Sequence, residues 1–313
     1  MNLHEHQKEF RQLITLTAAY KNLPESAIER DYYIVLMLKN LEKSDYGMNC
    51  VFKGGTSLSK CYLGTIERFS EDIDLSLLPR DNETITDNKI EKILKRIEII
   101  MSAGATLKPI PSERNKRNKS AYVYFGNESN RIKLEIGSTV RPEPYTLKRI
   151  KSYIHEFLEN RNLYNEIKKY ELCEVSLYAL DIKRTFIDKI LAIKRHAICG
   201  TLDSKVRHIY DVTRLYQLSE IQDFLKDKSQ LKRIVKLTKE TDSFYLTKRN
   251  IPIDFDPVGP YNFNSWYHKI TNETKRNYES LHLQLLYTNK KQDFEIAIKI
   301  LREINEILIS IEE

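Results

Sequence analysis

The sequence has few cysteines and no long apolar run. Its four cysteines, at positions 50, 61, 173 and 199, form no C-x-x-C pair, and no histidine spacing completes a zinc site. Unpaired thiols are typical of a reducing compartment. No segment approaches the ~20 apolar residues of a membrane-spanning helix, and the first ten residues carry charges where a signal peptide needs an apolar core. We therefore expect a soluble, cytoplasmic protein with no membrane partner.

Two common phosphate-binding motifs are also missing. The chain contains no G-x-x-x-x-G-K-[ST] loop, and no G-x-G-x-x-G follows a predicted strand. Positive charge is only slightly in excess, because 51 Lys and Arg residues face 44 Asp and Glu residues for a net charge of +7. That balance permits a polyanionic partner without requiring one.

Hydrophobic periodicity predicts strands mainly before about residue 180 and helices after it. Apolar residues recur at helical spacing between residues 10 and 41, with a break at Pro24, and a further helix is predicted over 88–102. Asp181 is a candidate N-cap for the helices that continue to the C-terminus. Short apolar or alternating segments predict strands at 50–52, 73–78, 121–125, 131–136 and 174–180. The third and fourth of these predict a hairpin with one polar face, joined through Gly126-Asn127. We expect an α/β half followed by an α-helical half.

Asp72 and Asp74 form a D-x-D pair at the start of a predicted strand. Side chains at i and i+2 of a strand point the same way and lie about 7 Å apart, so their oxygens can converge on divalent cations. Glu135, on the predicted hairpin, alternates to the same side as Lys133 and could complete a site for two Mg²⁺ ions. The alternatives are exposed carboxylates that hold no metal and, for Glu135, a solvated strand residue.

A run of small residues, Gly54-Gly55-Thr56-Ser57, follows the predicted strand at 50–52 and opens a helix. Small residues at this position let backbone N–H groups and a hydroxyl approach a phosphate at the positive end of the helix. We interpret the run as a nucleotide anchor that faces the metal pair. The alternative is a simple turn between a strand and a helix.

These motifs resemble one family closely. Gly54-Gly-Thr-Ser-Leu-Ser-Lys60, followed by Arg68-Phe-Ser-Glu-Asp-Ile-Asp-Leu75, is similar to the AbiEii/AbiGii abortive-infection toxins, which are nucleotidyltransferases of the polymerase-beta-like superfamily. Further similar segments lie at 28–33, 184–192 and 207–215. The resemblance implies an N-terminal nucleotidyltransferase domain over 1–180, with a mixed, twisted sheet flanked by helices. It also implies an α-helical domain over 181–313 that contributes to the active-site cleft.

The resemblance further implies an activity and the residues that perform it. Members of this family transfer a nucleotide from an NTP to an acceptor, in several cases thought to be the 3′ end of tRNA, and a separate antitoxin protein is encoded beside them. The implied roles are Mg²⁺ binding by Asp72 and Asp74, triphosphate binding by Gly54, Gly55, Thr56 and Ser57, phosphate contact by Lys189, completion of the site by Asp211, and supporting charge from Lys53, Arg68 and Arg207. From the residues alone, Lys189 could instead be a solvated lysine, and Asp211 could form an ordinary i,i+4 pair with Arg207.

The acceptor and two rival functions stay open at this point. Two groups of basic residues could grip an RNA backbone or could simply be solvated. The groups are Arg114, Lys116, Arg117 and Lys119 in a predicted loop at 111–120, and Lys183, Arg184, Lys194, Arg195 and Lys205. One rival is a D-x-D phosphohydrolase with a nucleophilic first Asp, although that fold needs a long apolar strand directly before the motif. The other is a catalytically silent protein that binds nucleotide or RNA.

Overall fold

The chain divides into two units. The computed structural model describes residues 2–78, 86–126, 131–246, 255–283, 285–287 and 290–312. Unit 1 comprises residues 1–61, 69–138 and 145–179, and unit 2 comprises residues 62–68, 139–144 and 180–313. The predicted domains are two consecutive stretches of the chain. The two units are not, because unit 2 includes two short segments from within the first 180 residues.

Unit 1 is built on a mixed sheet of seven strands. The strands are β1 (Cys50–Lys53), β2 (Asp72–Leu77), β3 (Thr106–Pro109), β4 (Asn118–Tyr124), β5 (Arg131–Gly137), β6 (Tyr145–Ile150) and β7 (Val175–Leu180). Their order is β3-β4-β5-β2-β1-β7-β6. β2 is antiparallel to β1 and parallel to β5, β7 is parallel to β1, and β3, β4 and β5 run antiparallel to one another.

The helices of unit 1 pack with this sheet. They are α1 (Gln7–Lys21), α2 (Glu25–Glu42), α3 (Gly54–Cys61), α4 (Asp87–Met101), α5 (Tyr153–Asn160) and α6 (Tyr164–Lys169). All of them except α3 contribute buried residues to the core on the apolar face of the sheet. Leu94 and Ile97 of α4 share one core with Ile73, Leu134 and Ile136 of the sheet. Along α2 most side chains are buried, which is expected of a helix in the middle of a core.

The C-terminal part of unit 2 is helical. Its helices are α7 (Ile182–Ile198), α8 (Arg207–Tyr216), α9 (Ser219–Lys226), α10 (Lys228–Leu246), α11 (Phe263–Trp266), α12 (Asn272–Glu279) and α13 (Phe294–Glu312). Asp181 caps α7, since its Oδ1 accepts a hydrogen bond of 2.8 Å from the backbone N–H of Lys183, and this prediction is confirmed. Among the described residues, no helix is long and apolar enough to cross a membrane.

The predicted fold class, a mixed α/β sheet followed by a helical region, is confirmed. Two strands, β3 and β6, were not predicted. The loop predicted at 111–120 is wrong at its C-terminal end, because β4 already begins at Asn118. The predicted hairpin forms between β4 and β5, but its turn falls partly outside the described residues.

Candidate active site

The run Gly54-Gly55-Thr56-Ser57, here called the glycine turn, and the D-x-D pair meet in unit 1. Gly54 has φ +81°, and a Cβ atom added there would lie 2.1 Å from Asp74 Oδ2. The Asp74 carboxylate therefore lies directly against the bare Cα of Gly54. Lys53, the last residue of β1, is the register partner of Asp74. The structure thus brings together two motifs that lie about twenty residues apart in the sequence.

Both aspartates project from the same face of β2. Asp72 is in register with Lys133 of β5, and Asp74 is in register with Glu135. Register partners on adjacent strands are about 4.8 Å apart, and i and i+2 side chains share a face, so these four side chains form one polar cluster. Ile73, which lies between the aspartates, is fully buried on the opposite face. The two aspartates themselves are half-buried.

Glu135 is placed beside Asp74, but it is held by a lysine. Lys133 Nζ lies 2.5 Å from Glu135 Oε1 and 2.7 Å from Glu113 Oε2. Partial burial lowers the pKa of Lys133, but its bonds to the two glutamates raise it above its ordinary value on balance. Among the described residues, no group of three or more His, Cys, Asp or Glu side chains is arranged to hold a metal ion. Glu135 as a metal ligand stays a prediction.

The donor set at β2 fits Mg²⁺. This ion is usually held by one or two carboxylates together with substrate phosphates and water, rather than by a full cage of protein ligands. Asp72 and Asp74 supply two half-buried carboxylates on one face of a strand. The contact between Asp74 and Gly54 fixes one of them beside the start of a helix. The two aspartates are therefore the residues that would hold the ion.

The hydroxyl groups of the glycine turn point into the protein. Thr56 and Ser57 are 2% and 0% exposed. The Thr56 hydroxyl donates to the backbone oxygen of Asp72, and its Oγ1 lies 2.7 Å from Ser70 Oγ. The Ser57 hydroxyl donates to the Gly54 carbonyl oxygen at 3.0 Å. The Thr56 hydroxyl therefore fixes the turn to β2, and the Ser57 hydroxyl stabilises the start of α3 from within. The first N–H groups of α3 are the donors that a helix leaves without internal partners.

Helix α2 holds both motifs through charged residues that sequence reasoning did not assign. Lys60, in the last turn of α3, donates to Asp31 Oδ1 at 2.6 Å, and both residues are buried. The other oxygen of Asp31 accepts from the backbone N–H of Tyr153 at 2.6 Å. Burial raises the pKa of Asp31, and Lys60 opposes that shift. The neighbouring Arg30 pairs with Glu71, the residue before the D-x-D, at 2.8 Å. The resemblance over 28–33 was the one sequence feature that pointed to this segment.

A buried cluster of three charges lies in unit 2. Asp211 is 0% exposed and accepts from Arg68 Nε at 2.6 Å and from Arg68 Nη2 at 2.7 Å. Lys189 Nζ lies 2.6 Å from Asp211 Oδ2 and is itself 5% exposed. Burial alone would raise the pKa of Asp211, but the two cations outweigh it and hold that pKa well below its usual range.

Both simple alternatives for these residues are wrong. Lys189 is not a solvated lysine, because it is buried in an ion pair. Asp211 is held by Arg68 and Lys189, rather than by Arg207 four residues earlier. Arg207 is half-buried at the first position of α8. The roles of Lys189, Asp211, Arg68 and Arg207 toward a nucleotide stay predictions.

Most residues of the two basic groups bond to partners within their own unit, which leaves fewer free positive charges for contact with RNA. Arg114 makes a two-pronged ion pair with Glu98, Arg117 pairs with Asp87, and Lys119 pairs with Glu91. In unit 2, Arg184 pairs with Asp188, Arg195 with Asp242, and Lys194 donates to the carbonyl oxygen of Pro260. Most of these cations therefore stabilise their own unit.

The position of the D-x-D pair argues against the phosphohydrolase. Asp72 is the first residue of β2, and residues 69–71 before it are in no strand. A nucleophilic Asp of that kind needs to follow a buried strand, and here the strand follows the Asp.

Comparisons with known proteins show the family and the fold of the chain. The family model of the AbiEii nucleotidyl transferase toxin of type IV toxin–antitoxin systems matches residues 36–296. A search of the curated proteins found no match. Among solved structures, the nucleotidyltransferase toxin MenT4 of Mycobacterium tuberculosis H37Rv has a TM-score of 0.51 and 18% identity, with 95% of this chain and 98% of that chain covered. JHP933 of Helicobacter pylori has a TM-score of 0.41 and 17% identity, with 92% and 95% covered. Since its family model spans most of the sequence, the chain belongs to the AbiEii nucleotidyltransferase toxins.

Proposed function

We propose that this toxin transfers a nucleotide from an NTP to the 3′ end of an RNA, most simply a tRNA, in a Mg²⁺-dependent reaction. The observation that carries the proposal is the close contact between the Asp74 carboxylate and Gly54 at the start of α3. That contact places a carboxylate pair beside a helix N-terminus, where backbone N–H groups favour a phosphate. The same small volume thus offers both a cation site and an anion site.

Different residues of unit 1 would bind the metal ion and the triphosphate in such a transfer. Asp72 and Asp74 would hold Mg²⁺, whose positive charge offsets the charge of the triphosphate. The N–H groups of Gly54 and Gly55 are the donors for phosphate oxygens, and the buried hydroxyl of Thr56 keeps the helix start fixed to β2. In the reaction, the acceptor hydroxyl forms a bond to the α-phosphorus and releases its proton, while the bond to pyrophosphate breaks.

A partner also follows from the family. Type IV toxin–antitoxin systems pair a toxin with an antitoxin, and the family therefore implies such a partner for this chain. We propose that a cognate antitoxin limits the effect of the transfer in the cell. Growth after induced expression, with and without a co-expressed cognate antitoxin, measures that effect.

Nucleotide transfer can be tested directly. The purified protein is incubated with total tRNA and each of the four α-³²P-labelled NTPs, with Mg²⁺ or with EDTA, and the RNA is separated on a denaturing gel. We expect label on RNA from at least one NTP in Mg²⁺ and none in EDTA. Asp72→Asn and Asp74→Asn should each abolish the label while the thermal unfolding midpoint changes little.

Glu71 provides a matched control. It is an acid directly before Asp72, its side chain is 50% exposed, and it pairs with Arg30 outside the proposed metal pair. Because the amide oxygen of a glutamine can still accept the hydrogen bond from Arg30, Glu71→Gln should keep the transfer activity. If wild-type protein labels no RNA with any NTP, the proposed acceptor is wrong. If Asp72→Asn and Asp74→Asn label RNA as well as wild type does, the proposed metal pair is wrong.

A further inference from the structure

One polar surface of the sheet is not used by the proposed nucleotide site. Four side chains on β3, β4 and β5, here called the tyrosine face, are Lys108, Tyr122, Tyr124 and Arg131. In register, Lys108 lies opposite Tyr122, and Tyr124 lies opposite Arg131. All four therefore project to the same side of the sheet. It is the side that carries Asp72 and Asp74, because Tyr122 is in register with Lys133, and Lys133 is in register with Asp72.

Each tyrosine of the face makes a cation–π contact. The Arg131 guanidinium carbon lies 4.7 Å from the ring centroid of Tyr122, and Lys108 Nζ lies 4.7 Å from that of Tyr124. The two rings are 6.4 Å apart at 61°. Aromatic surface for bases and positive charge for phosphates are thus supplied in alternation, as in proteins that bind single-stranded nucleic acid.

The face is open to solvent. Lys108 and Arg131 are exposed, and both tyrosines are half-buried. In the described part of unit 1, α4 packs on the opposite side, where its Leu94 shares a core with Val123 and Leu134. The face therefore lies on the side of the sheet opposite that core, where the side chains of antiparallel strands can meet solvent.

The register gives the face a direction. Lys108, Tyr122, Lys133 and Asp72 form one row across β3, β4, β5 and β2. Neighbouring strands are about 4.8 Å apart, so Tyr122 lies about 10 Å from the D-x-D pair along this row. That is a span of one or two nucleotides of an extended strand. Lys133 is neutralised by Glu113 and Glu135, which leaves Lys108 and Arg131 as the positive ends of the surface.

We infer that the tyrosine face binds the single-stranded end of the acceptor RNA. Its terminal hydroxyl lies at Asp72, and the preceding bases stack on Tyr122 and Tyr124, with phosphates beside Arg131 and Lys108. Single-stranded RNA fits better than a duplex because only unpaired bases present their faces to aromatic side chains. This assignment rests on the proposed function for its direction, but the binding itself can be measured without any transfer.

Fluorescence anisotropy with a short 5′-labelled single-stranded RNA tests the inference. We expect Tyr122→Leu and Tyr124→Leu each to raise Kd by at least about fivefold, because stacking on one aromatic ring contributes that much or more. Arg131→Ala should reduce the slope of log Kd against log salt by about 0.7 for each phosphate contact that is lost. The same sequence annealed to its complement should bind wild type more weakly and respond little to either leucine variant.

Two control variants remove the same chemistry elsewhere in unit 1. Tyr20 is 43% exposed and also has an arginine, Arg161, at 5.9 Å from its ring, so Tyr20→Leu should leave Kd unchanged. Lys95, on α4, is exposed at 56% of its side chain, and Lys95→Ala should leave the salt slope unchanged. Thermal unfolding of every variant shows whether the fold is intact.

The outcomes separate this inference from the proposed function. If wild type transfers nucleotides to tRNA and the tyrosine variants bind RNA as well as wild type does, the face is not the RNA site, although the proposed function stands. If wild type binds single-stranded RNA through the tyrosines but transfers no nucleotide, the face is correct and the proposed function fails. Equal losses in Tyr20→Leu and Tyr122→Leu would also overturn the inference.

Discussion

Replacing Gly54 with alanine is the sharpest test of the candidate site. An alanine Cβ would lie 2.1 Å from Asp74 Oδ2, whereas ordinary contact begins at 3.4 Å, so the carboxylate must move by 1.3 Å or the turn must shift. The residue also has φ +81°, where a Cβ atom costs about 1–2 kcal/mol. Forcing a side chain into a packed site costs roughly a further 1–3 kcal/mol. We therefore expect Gly54→Ala to destabilise unit 1 by about 2–5 kcal/mol.

Gly104 separates the two contributions. It has φ +80°, but an added Cβ there meets nothing within 4 Å. Gly104→Ala should therefore cost about 1–2 kcal/mol from the backbone alone and leave nucleotide transfer unchanged. Gly54→Ala should reduce kcat about 100-fold, since a misplacement of about 1 Å in a catalytic group can have that effect. Urea unfolding and the labelled-NTP assay measure the two quantities.

A double-mutant cycle tests the cause. In an Asp74→Ala background the clash is absent, so the cost of Gly54→Ala in urea unfolding should fall to that of Gly104→Ala. Strictly additive costs would refute the contact between Gly54 and Asp74. Equal stability of the Gly54→Ala and Gly104→Ala variants, with equal activity, would refute the reasoning as a whole.

Three other predictions concern the buried charges. Asp211→Asn leaves Arg68 and Lys189 buried without their carboxylate, and urea unfolding should show a loss of about 3–5 kcal/mol. Because the pKa of Asp211 is lowered in the folded protein, its stabilisation is complete above its unfolded pKa of about 3.9 and is lost as pH falls below that value. The unfolding midpoint of wild type should therefore drop more steeply than that of Asp211→Asn when the pH is lowered from 5 toward 3. Lys60→Met should cost about 3–5 kcal/mol in urea unfolding, and adding Asp31→Asn should recover part of that loss.

The elements around the candidate site could be predicted because their signals are local. Each of the two signals, a strand that stops at two glycines and a D-x-D pair at a strand start, spans only a few residues of the sequence. What the residues alone could not give was register, because pairing between β2 and β5 joins segments far apart in the chain. The placement of Glu135 opposite Asp74, and of Lys133 between two glutamates, follows from that register. β3 was missed because Thr106–Pro109 is short, lies at the edge of the sheet and contains a proline.

The burial of Lys189 shows where periodicity misleads. The apolar residues of α7 predict one buried stripe and leave Lys189 outside it. In unit 2 this helix is packed by α8, α10 and α11, so its polar side is also covered. A covered lysine needs a partner, and Asp211 supplies it from α8. Asp211 also pairs with Arg68, which lies far earlier in the chain. Neither this packing nor these ion pairs can be predicted from the spacing of residues in one helix.

The segment before the glycine turn shows that a family resemblance need not mark substrate contacts. Within the similar stretch 28–33, Asp31 holds Lys60 of α3, and Arg30 holds Glu71 beside the D-x-D. Burying the Asp31–Lys60 pair costs desolvation that its attraction only partly offsets, so an apolar pair of similar volume would stabilise unit 1 at least as well. What an apolar pair lacks is direction, since a carboxylate with one oxygen on Lys60 and the other on the Tyr153 N–H fixes the orientation of α3. Gly54 is the first residue of α3. The orientation of α3 therefore decides whether the Asp74 carboxylate contacts the N-terminus of that helix.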